Sequence, residues 1–114
     1  MATILCIDDE LDIMNVRRLL LESEGHNVID AATGKEGLQL FQSNNVDLVI
    51  VDYWMSGMNG LAVAREIKRL NAAVPVIILS GLAELPGEAS GIADRWILKG
   101  RSTQDLLEAI TALV

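Results

Sequence analysis

The chain has one cysteine, Cys6, and one histidine, His26, in 114 residues. A single cysteine cannot form an internal disulfide. Cys6 lies within an apolar run, where a thiol packs as a small hydrophobe rather than reacting as a nucleophile. His26 is a lone polar residue in a turn and is assigned no role. Basic residues are scarce: 9 Lys and Arg stand against 16 Asp and Glu, a formal net charge of −7. Phosphate backbones attract basic patches, so this domain is not expected to bind nucleic acid directly. The charge favours solubility and neutral or basic partners. No apolar run reaches transmembrane length, and the N-terminus lacks the charged-then-apolar layout of a signal peptide. The expectation is a cytoplasmic, reduced compartment and no membrane insertion.

What the chain has in quantity is hydrophobic residues, 51% of the total, which argues against disorder and for a packed core. Its length suits one domain spanning residues 1–114. Short apolar runs alternate with helix-like segments from end to end. Strands are expected at Thr3–Ile7, Asn27–Asp30, Asp47–Val51, Val76–Leu79 and Arg95–Leu98. The run Leu48-Val49-Ile50-Val51 shows no polar alternation, so both of its faces should be covered. Asn27–Asp30 is less apolar and reads as an edge.

Helices are expected between the strands. Leu11–Glu24 carries Ile13, Val16, Leu19 and Leu20 on one face, and Gly25 is its natural stop. Thr33 can cap a helix from Gly34 to Asn44, with Leu38 and Phe41 inward. Leu61–Leu70 buries Leu61, Ala64, Ile67 and Leu70. Ser102 or Thr103 can cap the last helix, whose stripe is Leu106, Leu107, Ile110 and Leu113. Between Ser80 and Asp94, three glycines and Pro86 break any long helix. Strands joined by crossover helices make a parallel sheet covered on both faces, the doubly wound α/β class.

Such sheets bind ligands at the C-terminal edge of the strands, where the strand order reverses. Asp8 and Asp9, Asp52, Ser80 and Lys99 each sit at the end of an apolar run and so share that edge. In the order 2-1-3-4-5, Asp8, Asp9 and Asp52 flank the reversal. Three carboxylates, a hydroxyl and an ammonium in one crevice have the composition of a site for a divalent cation and a phosphoryl group. Mg²⁺ prefers carboxylate oxygens and water. A carboxylate can attack phosphorus to give an acyl phosphate, while lysine and a hydroxyl each hold a phosphoryl oxygen. Each residue also has an ordinary reading. Asp8, Asp9 and Glu10 precede a helix, where acids cap free N–H groups. Asp52 can form a turn, Ser80 can cap, Lys99 can be a solvated strand end, and Trp96 can be core. The combination, rather than any one member, points to chemistry.

The chain resembles the response-regulator receiver domain over its whole length. The motifs that carry the likeness are Ile4-Leu5-Cys6-Ile7-Asp8-Asp9-Glu10, Asp52-Tyr53-Trp54-Met55-Ser56-Gly57-Met58-Asn59-Gly60, Val76-Ile77-Ile78-Leu79-Ser80-Gly81 and Trp96-Ile97-Leu98-Lys99. The resemblance implies a flavodoxin-like domain with strand order 2-1-3-4-5, acting as a switch in a two-component phosphorelay rather than as a metabolic enzyme. It implies that Asp52 accepts a phosphoryl group from the phosphohistidine of a sensor histidine kinase or histidine phosphotransfer protein. It implies Mg²⁺ bound by Asp9, Asp52 and the backbone carbonyl of Trp54, with Asp8 acting through metal-bound water. Lys99 would contact the phosphoryl group, Ser80 would be the switching hydroxyl and Trp96 the switching aromatic. The output partner or fused output domain is left unnamed.

The chain departs from that family in four places. Gly100 replaces the usual proline after the lysine, which makes a cis bond there improbable and the loop looser. Ser56 stands where proline is usual, and Trp54 is bulky for its place beside the phosphoryl site. The Ser80–Lys99 segment is short by roughly one helical turn, so a short or irregular fourth helix is expected. Three other functions compete, one of them a flavin-binding flavodoxin, which would need a Ser/Thr-Gly phosphate loop after the first strand. A pseudo-receiver would bind partners without phosphorylation. A Mg²⁺-dependent phosphohydrolase of the haloacid-dehalogenase type would need a second Asp where Trp54 stands.

Overall fold

The computed structural model describes residues 2–55, 57–81, 91–99 and 103–114. Along the chain run β1 (Thr3–Ile7), α1 (Leu11–Ser23), β2 (Asn27–Ala31), α2 (Gly34–Ser43), β3 (Leu48–Asp52), α3 (Gly60–Leu70), β4 (Val76–Ser80), β5 (Arg95–Leu98) and α4 (Thr103–Leu113). All strand pairs are parallel, in the order β2-β1-β3-β4-β5. β3 and β4, interior strands, are buried at every residue. The less apolar β2 lies at one edge, as its composition predicts.

Alternation along the strands divides the core in two. Leu5, Ile7, Val49, Val51 and Ile78 face α2 and α3, packing with Phe41, Leu61, Val63, Ala64 and Ile67. Ile4, Cys6, Leu48, Ile50, Ile77 and Leu79 face α1 and α4, packing with Leu21, Leu106, Ala109 and Ile110. No helix among the described residues is long and apolar enough to cross a membrane.

The structure corrects the sequence reading in several places. Ala31, Asp52 and Ser80 belong to their strands, one residue further than the apolar runs reach. The ladder continues past them: the Tyr53 N–H donates to the Leu79 carbonyl at 2.8 Å and the Lys99 N–H to the Ser80 carbonyl at 2.6 Å. Asp47 precedes β3 rather than opening it, and its Oδ2 accepts the Thr3 N–H at 2.8 Å. Thr103 is the first residue of α4 rather than its cap. Residues 82–90, which include Leu82 and Pro86, lie outside the described residues, as do Ser56, Gly100 and Ser102. The expectations of a short fourth helix and a loosened loop fall on them.

The largest correction concerns α1. Its buried residues are Met14, Arg17 and Leu21, spaced i, i+3, i+7. Ile13, Val16 and Leu19 are 40%, 67% and 70% exposed. The helix is turned by about one residue, roughly 100°, from the orientation its aliphatic residues suggest. Asp8 is fully buried beneath it, and a buried carboxylate needs a partner. Turning Arg17 inward supplies one, its Nη1 lying 3.5 Å from Asp8 Oδ2.

Of the caps at Thr33 and Asn59, the sequence reading anticipates Thr33 and leaves Asn59 in a loop, with α3 starting one residue later, at Leu61. Thr33 accepts the Glu36 N–H at 3.0 Å, and Glu36 in turn accepts the Ala32 N–H at 2.7 Å. Asn59 accepts the Ala62 N–H at 2.9 Å, starting α3 at Gly60. Gly60 allows the loop after Asp52 to fold back on the strand, its N–H reaching the Tyr53 carbonyl at 2.8 Å. A Cβ there would stand 2.5 Å from the Asp52 carbonyl oxygen and 2.9 Å from Tyr53 Cα. Backbone cannot yield as a side-chain tip does. Gly60→Ala should therefore cost about 1–3 kcal/mol in urea unfolding; a midpoint equal to the wild type would contradict this packing.

Candidate functional site

The same alternation decides which edge residues meet. Asp8 continues the face of Ile4 and Cys6, Asp52 that of Leu48 and Ile50, and Lys99 that of Ile97, all on the α1/α4 side. Ile7 pairs with Val51 and Asp52 with Leu79, so the strand ends are nearly level. Lys99 Nζ lies 2.9 Å from Asp52 Oδ1, 3.3 Å from Glu10 Oε1 and 3.9 Å from Asp8 Oδ2. One oxygen each of Asp8, Glu10 and Asp52 falls within 4.8 Å of the others. Asp8 and Asp52 are buried, while Glu10 is exposed at the rim.

Charge is compressed here, and the protonation equilibria register it. Burial pushes the Asp52 carboxyl up from its ordinary value; the Lys99 hydrogen bond opposes this, and the Asp8 charge adds to it. For Lys99, burial pulls the ammonium down, but its hydrogen bond to Asp52 and the charges of Asp8 and Asp52 outweigh this and raise it. Lys99 is thus a fixed cation at neutral pH, poised beside a carboxylate that ionises at some cost. Cys6 is buried on the same face, and burial above all raises its thiol to about 12. It is inert, as its place in the first strand suggests.

Glu10 is a site residue that sequence reasoning treated only as a cap. It does occupy the position before α1, but its side chain makes no capping hydrogen bond. Its carboxylate turns to Lys99 instead, a direction that no sequence pattern encodes. Asp9 is exposed one residue before it. The structure gathers Asp8, Glu10 and Asp52 as the mutually close carboxylates. Ser80 is buried at the end of β4, paired with Leu98 of β5. It follows Ile78 on the α3-facing side, where Trp96 sits opposite Ile78 and against Tyr53 at 5.4 Å between ring centroids. Trp54 is 63% exposed and edge-on to Tyr53 at 5.0 Å. His26, given no role from sequence, accepts the Ala2 N–H at 3.1 Å and ties down the start of β1.

The exposed side of α1 borders this crevice. Ile13, Val16 and Leu20 line a groove of about 460 Å³ with Leu79, Ile97 and Leu106, and Lys99 lies on its wall. Leu11 and Leu19, 61% and 70% exposed, extend the apolar surface along α1. The donor set of the crevice itself is hard carboxylate oxygen, the class that Mg²⁺ selects. Two buried carboxylates and one at the rim fit a small divalent cation with water completing its shell.

Residues 4–111 match the family model of the response regulator receiver domain. The chain belongs to that family. The response regulator ArlR of Staphylococcus saprophyticus is 32% identical over 117 residues, covering 100% of this chain and 53% of its own length. The transcriptional regulatory protein GlrR of Escherichia coli is 38% identical over 85 residues, covering 75% of this chain and 19% of its own. This receiver domain therefore spans about half the length, or less, of these curated relatives. Among solved structures, a receiver domain from Clostridium thermocellum superposes with a TM-score of 0.92 at 36% identity, over 99% of this chain and 94% of that one. The response regulator TrrA of Thermotoga maritima, in complex with Mg²⁺-BeF, gives a TM-score of 0.94 at 33% identity over the full length of both. The receiver fold and the two-component family expected from the four strand-end motifs are those observed.

Proposed function

We propose that this receiver domain accepts a phosphoryl group on Asp52 from the phosphohistidine of a sensor histidine kinase or histidine phosphotransfer protein, and that Mg²⁺ assists. The observation that carries this reading is Asp52 itself: a buried carboxylate at a strand end, 2.9 Å from Lys99 and grouped with Asp8 and Glu10. An Asp52 oxygen attacks phosphorus, the P–N bond breaks, and its electron pair stays on the imidazole nitrogen, which takes up a proton. Lys99 holds a phosphoryl oxygen as charge develops there. Asp9, Asp52 and the Trp54 carbonyl are the direct ligands that the family likeness suggests for Mg²⁺, with Asp8 acting through metal-bound water, and the position of Glu10 adds it to the set. The ion, when bound, offsets the charge of the phosphoryl group and the carboxylates.

The exposed apolar residues of α1 beside the crevice offer a protein donor a face to dock on. The compartment is cytoplasmic in this reading, where histidine kinases present their phosphohistidine. Turnover is limited to the domain's own phosphorylation and slow dephosphorylation. Incubation with acetyl phosphate and Mg²⁺, followed by intact mass, should show one added phosphoryl group, and chelation of Mg²⁺ should prevent it. No adduct under conditions where Mg²⁺ binds would reject the reading in favour of a module that binds partners without phosphorylation.

Output runs through Ser80 and Trp96 in this proposal. Both lie on the α3 side of the sheet, at β4 and β5, so a hydroxyl drawn towards a phosphoryl group on Asp52 frees space beside the indole. Phosphorylation biases an existing equilibrium of that face. In a Trp54→Phe protein, Trp96 is the remaining indole. Beryllofluoride with Mg²⁺ should shift its emission; unchanged emission with beryllofluoride bound would disconnect Trp96 from the switch.

A further inference from the structure

Arg17 is out of place by any rule of helix patterning. It occupies the middle of the inward stripe of α1, between Met14 and Leu21, at 8% exposure. Arginine is seldom buried so far without a partner. Its partner is Asp8, at 3.5 Å from Nη1 to Oδ2. The other oxygen of Asp8 accepts the Glu10 N–H at 3.0 Å. Asp8 is therefore held on one side by backbone, while its free oxygen faces Arg17 and, at 3.9 Å, Lys99. Lys99 is already shared with Asp52 and Glu10. Among the described residues, Asp8, Glu10 and Asp52 share the crevice with Lys99 and Arg17, and Arg17 approaches it from beneath α1.

A divalent cation in this crevice would bring its charge close to Arg17, at a place where burial limits screening. It would also compete for Asp8. We propose that Arg17 is a built-in counter-ion of Asp8, a positioning residue that holds the acidic crevice together without metal and weakens its affinity for divalent cations. This rests on the reading of the crevice as a metal site. The consequence is regulatory. Where free Mg²⁺ is limiting, the resting domain stays metal-free and stable, and occupancy follows the Mg²⁺ level rather than saturating.

The test is a Mg²⁺ titration of the whole chain, followed by tryptophan emission, since exposed Trp54 lies two residues after Asp52, and in parallel by calorimetry. Arg17→Leu should bind Mg²⁺ about tenfold more tightly than the wild type. It should also melt lower in chelator, because Asp8 loses its partner, with Mg²⁺ restoring more stability than it adds to the wild type. Arg17→Lys, which keeps the charge, should retain the weaker affinity; Arg17→Gln, which keeps donors without charge, should resemble Arg17→Leu and serves where leucine impairs folding. A purely structural arginine would lower the melting temperature while leaving the Mg²⁺ affinity unchanged, and that result overturns the inference alone. No Mg²⁺ binding by wild type or variants would overturn the metal site together with the inference.

Discussion

Asp52→Asn should take up no phosphoryl group from acetyl phosphate and Mg²⁺ under conditions that label the wild type. An amide oxygen is a poor nucleophile and carries no charge, so the acyl phosphate cannot form. Loss of labelling will not reflect unfolding. The Asp52 carboxyl is raised by burial and by the Asp8 charge, with Lys99 opposing. Its neutral form is therefore favoured in the folded protein, and the stability that this confers is full below the ordinary carboxyl range and lost as pH rises through the raised value. At neutral pH the ionised carboxylate is a cost to the fold. An uncharged asparagine avoids that cost, so the variant should melt no lower than the wild type. Retained labelling, or a collapse in melting temperature, would contradict the role given to Asp52.

Lys99→Ala should slow phosphorylation by about two to three orders of magnitude, the usual effect of removing one preorganised charge at a developing anion. It should also change how stability depends on pH. Lys99 is raised by its hydrogen bond to Asp52 and the charges of Asp8 and Asp52, against the pull of burial. Its contribution is fully present below the ordinary lysine value and lost as pH rises through the raised one. Wild-type melting temperature should therefore fall at alkaline pH, and Lys99→Ala should lack that component. Rates within a factor of two of the wild type, or a gap in melting temperature that ignores pH, would remove Lys99 from the site.

Much of the fold was legible because buried parallel strands have no alternation to disguise. Leu48–Val51 and Val76–Leu79 announce interior strands, and the polar residue that ends each marks the sheet edge. Asp8, Asp52 and Lys99 could be assembled from topology alone, since strand direction carries them to one edge. α1 misled for a physical reason. Its aliphatic residues outnumber Arg17, and hydrophobic patterning assigns no value to a buried ion pair. The preference of Arg17 for Asp8 depends on a carboxylate in a different element. Glu10 was missed as a site residue on similar grounds, because its direction is set by Lys99, 89 positions away. His26 gave no signal, since its bond to the Ala2 N–H joins the residues leading into β1 and β2, which only the packed sheet brings together.

The most direct test of the central claim is to find the atom that carries the phosphoryl group. Wild-type protein labelled with acetyl phosphate and Mg²⁺ is treated with borohydride, which reduces an aspartyl phosphate to homoserine, and its peptides are sequenced by mass spectrometry. Homoserine should appear at position 52 and at no other aspartate. Reduction at Asp8 or Asp9 with Asp52 intact, or a phosphoryl group that resists borohydride altogether, would contradict the account.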